Sequence, residues 1–401
     1  MSKNIWIINQ YCGSRIHGMN FRSWYFANEL QKKGHHPIII TGSYSHLIHK
    51  APVMNSWFKN EKVEGVPYIW VKVRKYIGSK SLGRLLSMLD FMFKLLFLKK
   101  RKLKSPDVIL VSSLSPFPII SAFFWSKRYK SKLLFEIRDI WPLSLIELGG
   151  ISRFNPLSLL FSFFERFGYL SADKVISVLP CAKEHMMSKG MKESKFVYVP
   201  NGFNPDDNKI AKPLPKGYFD ELPSKKFLIG YTGSIGLANA VEYLIEASKL
   251  LENDSRFHFV IIGKGQYKKK LQSCAGSNVS FLPLVDKAQV SSVLKKFDLC
   301  FIGLKKQKLF RFGISPNKIF EYMYAAKPII QSIKAGNNPV KEANAGFSIE
   351  PENAEEIVQA IFKGYNMPKE ELETLGINGY KYGLENHSFE KLTEKLISTF
   401  D

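Results

Sequence analysis

The sequence predicts an α/β protein made of two doubly wound parallel-sheet domains. Short apolar runs of strand length alternate with helix-period segments, as in parallel sheets flanked by helices. The 401 residues exceed a single core of ordinary size, and two domains of about 200 residues are the natural division. A polar stretch, Phe203-Asn204-Pro205-Asp206-Asp207-Asn208 followed by Pro213 and Pro215, breaks the alternation near its middle. The division expected is 1–203 and 204–385, with a terminal helix over about 386–401 that can pack back onto the first domain.

The elements follow in order. Ile5–Asn9 is a first strand, too short for a targeting segment. Met19–Lys33 is a helix closed by Gly34, Pro37–Thr41 a strand, and Val63–Val73 another by its alternation. Asp107–Ser112 is a buried strand, and the Ser/Pro loop after it opens a helix over Ile119–Arg128. Lys132–Ile137 delivers Arg138-Asp139-Ile140-Trp141-Pro142 at its carboxyl end. Lys174–Val178 and Phe196–Val199 lead to the turn Pro200-Asn201-Gly202. In the second half, Phe227–Tyr231, Phe257–Ile262, Val279–Leu282, Leu299–Leu304 and Ile329–Ser332 are strands, and Ala240–Leu251 is a helix. The helix Phe389–Phe400 has apolar residues at 392, 396, 397 and 400 and must dock. Ligands of open parallel sheets bind beyond the carboxyl ends of the strands, so two such domains facing each other would share one cleft.

Composition narrows the function. With 45% hydrophobic and 13% aromatic residues the chain is globular. A formal charge of +23 calls for an anionic partner: nucleic acid, an anionic membrane or a phosphorylated substrate. Clustered aromatic–basic strands and a recognition-helix pattern are missing, which ranks nucleic-acid binding last. The four cysteines are scattered and read as free thiols of a reducing compartment. No run reaches the roughly 18 apolar residues of a membrane span.

The segment Phe312–Ile330 carries the most chemistry. Ser315 is expected to cap a helix whose first position is Pro316 and which runs from Asn317 to about Ala326. Inside it Glu321 lies between Phe320 and Tyr322, and a carboxylate on so apolar an element needs a partner. A sugar diol can occupy both its oxygens, and a helix start suits phosphate; an ion pair with Lys318 one turn back is the plainer alternative.

Several motifs occur in a fixed order. They are Asn9-Gln10-Tyr11 with Gly18 and Arg22; Arg138–Pro142; Ala172-Asp173; Pro200-Asn201-Gly202; Gly233; Gly263 to Gly265; Asp298; and Ser315–Pro328. This set resembles the retaining GT-B glycosyltransferases of the family 4 type, which include sucrose synthase and bacterial mannosyltransferases. It is most similar to the branch that builds O-antigens and capsules, such as N-acetyl-fucosamine transferases. The resemblance implies two Rossmann-like domains facing across a cleft, the first binding acceptor and the second a nucleotide sugar, with no cofactor. It implies that Glu321 binds the nucleotide ribose, while Gly313 stands where the family has its other glutamate, which hints at a deoxy or amino sugar. The family's usual Arg and Lys are replaced by Ser234-Ile235-Gly236-Leu237-Ala238. Lys305, Lys306, Lys308, Arg311 and Lys318 are then expected to meet the diphosphate, with the backbone of Gly233-Ser234 and the Ser315 helix start. Gly263 and Gly265 flank the donor or form a plain strand-to-helix turn. Without an Asp-x-Asp pair or a cluster at metal spacing, leaving-group charge falls to cations and helix termini. Asp139, with Arg138, is expected to touch the acceptor or the reacting sugar, or else to form a simple surface ion pair with that arginine, and Gly13, Gly18 and Arg22 to form the acceptor-side loop.

Two segments suit a lipid surface. Leu82–Lys104 confines Arg84, Ser87, Asp90 and Lys94 to one stripe, presents Leu, Met and Phe elsewhere, and ends in Lys99-Lys100-Arg101-Lys102-Leu103-Lys104. Phe154–Leu170 is aromatic and capped. Each is an ordinary core helix or an interfacial one, and the net charge favours anionic lipid. The combined expectation is a cytoplasmic enzyme, peripheral on the inner face of the bacterial inner membrane. It would move a sugar from a nucleoside-diphosphate donor to a lipid-linked saccharide. A nucleotide-sugar epimerase, which needs neither acceptor nor membrane, is the rival enzyme.

Overall fold

The computed structural model describes residues 1–14, 16–18, 21–46, 48–78, 81–98, 103–210 and 212–401, for 208–210 the backbone alone. Met19 and the basic run 99–102 lie outside the described residues. The chain divides into two compact units, residues 1–200 with 392–401, and residues 201–391.

Among the described residues the first unit holds eight strands: Asn4–Ile8 (β1), His36–Gly42 (β2), Phe58–Val63 (β3), Val66–Val71 (β4), Val108–Ser112 (β5), Lys132–Ile137 (β6), Lys174–Ser177 (β7) and Phe196–Tyr198 (β8). Their order is β3-β4-β2-β1-β5-β6-β7-β8. Ile7 pairs with Ile39 on one side and Leu110 on the other, and Leu110 pairs with Leu134. All four are buried, because helices cover both faces of a parallel sheet and its strands read as continuous apolar runs. The single strand expected over Val63–Val73 is instead one arm of a hairpin. β3 and β4 run antiparallel, and Glu64 and Gly65 take φ of 48° and 85°, the twist-matched hairpin turn. The edge strand β3 buries only Phe58 and Val63, its two ends, so its sequence shows no apolar alternation.

Helix Arg22–Lys32 buries Trp24, Tyr25, Phe26 and Leu30. Helix Pro156–Ser171 is capped by Asn155, whose side chain accepts from the Leu157 N–H at 2.9 Å. Gly168 lets it lie directly on the sheet, since a Cβ there would sit 2.3 Å from the Phe135 ring. Helix Leu82–Leu95 buries Ser87, Met88, Phe91 and Leu95. At the end of the chain, helix Phe389–Ile397 and the residues after it bury Leu392, Leu396 and Phe400. Glu394 pairs with Lys33 at 3.0 Å and the Phe400 ring meets His35.

The second unit holds Phe227–Ser234 (β9), Phe257–Lys264 (β10), Val279–Leu282 (β11), Leu299–Gly303 (β12), Ile329–Ser332 (β13) and Gly346–Ile349 (β14). All pair in parallel, in the order β11-β10-β9-β12-β13-β14. Between Ser332 and Phe389, for which no element is expected above, the structure holds β14 and the helices Ala354–Asn366, which buries Ile357, Ala360 and Ile361 at helical spacing, and Lys369–His387. The latter buries Gly376, Gly379, Gly383 and His387, a face with no large apolar residue to mark it in the sequence. Gly376 packs against the Ala326 carbonyl, and Gly379 against Met323. This glycine face therefore lets the helix back directly onto the Phe312–Ile330 segment.

Candidate functional site

In the second sheet the strand order reverses between β9 and β12, and crevices form beyond the carboxyl ends of strands at such a switch point. A cavity of about 380 Å³ lies there, its lining including Thr232, Gly233, Ser234, Asn317, Lys318 and Glu321, a size within the range of small-molecule sites.

The helix facing the cavity spans Asn317–Tyr324, shorter at its carboxyl end than the sequence suggests. Ile319, Phe320, Tyr322 and Met323 are buried beneath it. Tyr322 fastens it to β9, accepting the Thr232 N–H at 3.1 Å. Ser315 is not its cap: no side chain caps this helix and Pro316 occupies the cap position. The Ser315 hydroxyl instead accepts the Asn201 N–H at 2.8 Å, and the Ser315 carbonyl accepts from the Asn201 amide at 2.7 Å. Asn337 brackets the Ile314 backbone the same way, at 2.7 and 3.1 Å. The hydroxyl is used to hold the strand of residues entering the helix, and the first helical N–H groups keep no intrahelical acceptor.

Lys318 points into the cavity beside the Gly233 turn. Gly233 has φ 137°, and a Cβ there would lie 2.2 Å from Lys318 Cε, so only glycine admits this lysine. The ammonium donates to the Tyr231 hydroxyl at 2.6 Å, and that hydroxyl donates to the Ser234 carbonyl at 2.5 Å. Burial lowers the Lys318 pKa to about 8, with the Glu321 charge opposing. Glu321 is paired, but with Lys287 rather than with Lys318.

The other cations expected at the diphosphate do not line this cavity. Lys305 pairs with Glu242 at 2.8 Å, and Lys306 faces Glu350 at 4.0 Å while its N–H meets Glu352. Arg311 donates to the Lys308 carbonyl at 2.6 Å and covers the Phe312 ring. Gly263 and Gly265 also stand behind the cavity wall. Cβ atoms there would meet the Gly233 carbonyl at 2.0 Å and the Ile235 carbonyl at 2.1 Å, so they permit the close pairing of β10 with the β9 turn. Tyr231, Asn201, Asn337 and Lys287 escape sequence reasoning, because each acts from a distant segment. The turn signal at Pro200-Asn201-Gly202 marks only one of their positions.

In the first unit, Arg138 and Asp139 follow β6. The Arg138 N–H donates to Ser113 Oγ at 3.0 Å. Its Nη1 is buried without a hydrogen-bond partner among the described residues. Burial raises the Asp139 pKa, while Arg138 and then Arg84 pull it down. Arg22 lies inside rather than on an open loop. It is 4% exposed, its Nε donates to Glu136 at 2.8 Å, and its Nη atoms reach the carbonyls of Val199 and Pro200. Gly13 is likewise buried, its carbonyl accepting the Tyr68 hydroxyl at 2.9 Å. Gly18 has φ 78° and packs against His49.

Two doubly wound units, each with its polar residues gathered beyond the strand ends, define the GT-B fold. The comparisons with known proteins agree. Residues 16–207 match the model for Glycosyltransferase Family 4, and residues 226–366 match that for Glycosyl transferases group 1. The chain is 23% identical to the putative colanic acid biosynthesis glycosyl transferase WcaI of Escherichia coli (strain K12), over 85% of this chain and 86% of that protein. Among solved structures it is similar to a sucrose-phosphate synthase from Thermosynechococcus elongatus, at TM-score 0.73 and 14% identity over 99% and 98% of the two chains. It is also similar to Anabaena HepE in complex with UDP and glucose, at TM-score 0.65 and 14% identity over 99% of each chain. This protein is a GT-B glycosyltransferase.

Proposed function

We propose that the enzyme transfers a sugar from a UDP-linked donor to a lipid-diphosphate-linked saccharide during synthesis of a bacterial surface polysaccharide of the O-antigen or capsule class. The observation carrying this reading is the placement of Lys318 and Glu321 on one helix, both lining the cavity at the Gly233-Ser234 turn. The relative named for colanic acid biosynthesis supports a polysaccharide product, and the neighbour holding UDP and glucose supports the donor class.

In this reading the Glu321 carboxylate accepts the two ribose hydroxyls, taking the place of Lys287. Lys318 and the first N–H groups of helix Asn317–Tyr324 hold the diphosphate, whose negative charge grows as the sugar–phosphate bond breaks. No divalent metal is required for that charge. The configuration is retained, the donor phosphate taking the acceptor proton, and Asp139 contacts the acceptor. Gly313 leaves the sugar without a carboxylate beside it, which suits a deoxy or N-acetylamino sugar.

Calorimetry with UDP tests the pocket. Glu321→Ala is expected to weaken UDP about 10- to 100-fold, the cost of losing a charged hydrogen-bond partner. Lys287→Ala is expected to tighten it by about a few-fold, since the exposed ion pair no longer competes. Unchanged affinity in Glu321→Ala removes the ribose assignment, and isomerisation of a UDP-sugar without acceptor substitutes the epimerase.

The membrane reading gains from side-chain placement. On helix Leu82–Leu95 the polar stripe turns toward the protein: Ser87 is buried, and Asp90 and Lys94 pair at 2.9 Å with side chains 15% and 13% exposed. The outward stripe is Leu82, Leu86 and Phe93, and helix Pro156–Ser171 likewise exposes Leu159, Phe163 and Leu170. Among the described residues no helix is long and apolar enough to cross a membrane; the apolar faces suit lying on one. Wild type is expected to pellet with anionic vesicles at low salt, and a Leu159→Glu/Phe163→Glu double variant to stay in the supernatant. Wild type remaining in the supernatant refutes the claim.

A further inference from the structure

Residues 72–77 of the first unit run antiparallel beside helix Leu82–Leu95. Lys94 Nζ donates to the Lys72 carbonyl at 2.7 Å, the Arg74 N–H donates to Asp90 at 3.1 Å, and a Cβ on Gly83 would lie 3.1 Å from Tyr76 Cβ. Ser87, Met88, Phe91 and Leu95 turn to the core, which leaves Leu82, Leu86 and Phe93 on the outward stripe. At the carboxyl end of that stripe three aromatic rings meet. The Phe97 ring makes edge contacts with Phe93 at 5.3 Å and with Trp57 at 5.6 Å, and the Lys94 ammonium stands 5.5 Å from the centre of the Trp57 ring. Trp57 is 46% exposed and Phe93 51%, whereas Trp6, Trp24, Trp70 and Trp125 are all buried.

The flank of this aromatic end carries one sign of charge. Lys72, whose N–H donates to the Trp57 carbonyl at 2.8 Å, is exposed, as are Arg74 and Lys75. None of the three enters an ion pair among the described residues. Residues 51–57 and 72–77 contain no Asp or Glu. The one carboxylate of the helix, Asp90, pairs with Lys94 at 2.9 Å. That of β3, Glu61, faces Lys59 at 3.7 Å and accepts from Trp70 Nε1 at 2.7 Å. An apolar stripe ending in an indole and bordered by uncompensated cations complements an anionic surface with hydrocarbon beneath it. A second copy seated on the same face would instead bring like charges together.

We infer that Trp57, with Phe93 and Phe97, is the aromatic anchor that enters an anionic lipid bilayer, and that Lys72, Arg74 and Lys75 meet its headgroups. This rests on the membrane association proposed above. It adds which end of helix Leu82–Leu95 enters the lipid and which charge that lipid carries.

Sedimentation and tryptophan fluorescence of the full chain test it, with vesicles of phosphatidylcholine alone or mixed with phosphatidylglycerol. On the mixed vesicles at low salt, wild-type emission is expected to shift to the blue and to be quenched by brominated acyl chains. Trp57→Phe is expected to lose both changes while still pelleting. Trp57→Glu/Phe93→Glu is expected to lower vesicle partitioning about tenfold or more, as two apolar rings leave the lipid. Lys72→Gln/Arg74→Gln/Lys75→Gln is expected to lower it about 100-fold on the mixed vesicles, the worth of three cations at an anionic surface, and little on phosphatidylcholine alone. Both multiple variants should keep the wild-type unfolding transition, since the changed positions are exposed. If wild type pellets without a shift or quenching, or if both multiple variants partition like wild type, the anchor is overturned and the membrane association stands. A blue shift that grows with protein concentration in the absence of vesicles gives the patch to a second copy and overturns it too. Wild type remaining in the supernatant overturns both readings.

Discussion

Replacing Arg22 by alanine is expected to lower the unfolding free energy of the first unit by about 3–5 kcal/mol, the usual cost of stranding one member of a buried ion pair. Arg22 and Glu136 are each only 3% exposed at the side chain and 2.8 Å apart. Burial pushes the Glu136 carboxyl up, yet Arg22 and then Arg138 pull it down overall. Its ionised form therefore adds stability above the ordinary carboxylate range, and this is lost as pH falls through the depressed value. Alanine also deprives the Val199 and Pro200 carbonyls of their donor. All six tryptophans lie within residues 1–200, so urea unfolding followed by tryptophan fluorescence reads this unit. An Arg22→Met/Glu136→Leu double variant is expected to lose much less than Arg22→Ala, because no charge is stranded. Equal losses in the two would show that the pair's charge is irrelevant.

Lys318→Ala is expected to weaken UDP about 10- to 100-fold, or about 1.5–3 kcal/mol for a charged contact. Turnover should fall further, about 10²- to 10³-fold, because the ammonium meets charge that grows in the transition state. The lysine also sets a pH dependence. Its pKa is near 8, so below that value it is charged and binds the diphosphate. As pH rises through 8 the free enzyme loses the proton and UDP affinity declines. Lys318→Arg, which stays charged, should flatten this profile while retaining much of the affinity. A wild-type UDP affinity that holds constant from pH 7 to about pH 10 would remove Lys318 from the diphosphate.

The apolar run Ile5-Trp6-Ile7-Ile8 and its counterparts made the parallel strands legible, because residues buried on both faces must be apolar without interruption. The helix bearing Glu321 was legible for a related reason: its buried residues 319, 320, 322 and 323 repeat at helical spacing. β3 and the helix Lys369–His387 were not. One buries only its ends and the other buries glycines, so neither leaves an apolar period to read.

Sequence by itself determined two α/β units and a carboxylate-bearing helix after the fourth strand of the second one. These follow from burial patterns and turn residues a few positions apart, which the backbone period makes local. Tertiary structure decided which lysine enters the cavity, since 305, 306, 308, 311 and 318 are equivalent by charge and spacing. Glu242, Glu350 and the Lys308 carbonyl hold three of them away. The missing side chain of Gly233 leaves room for Lys318. It also decided that Ser315 serves Asn201, that Arg22 serves Glu136 and that Lys287 guards Glu321. Each of these joins residues at least 34 positions apart, and such pairings depend on packing that no local pattern records.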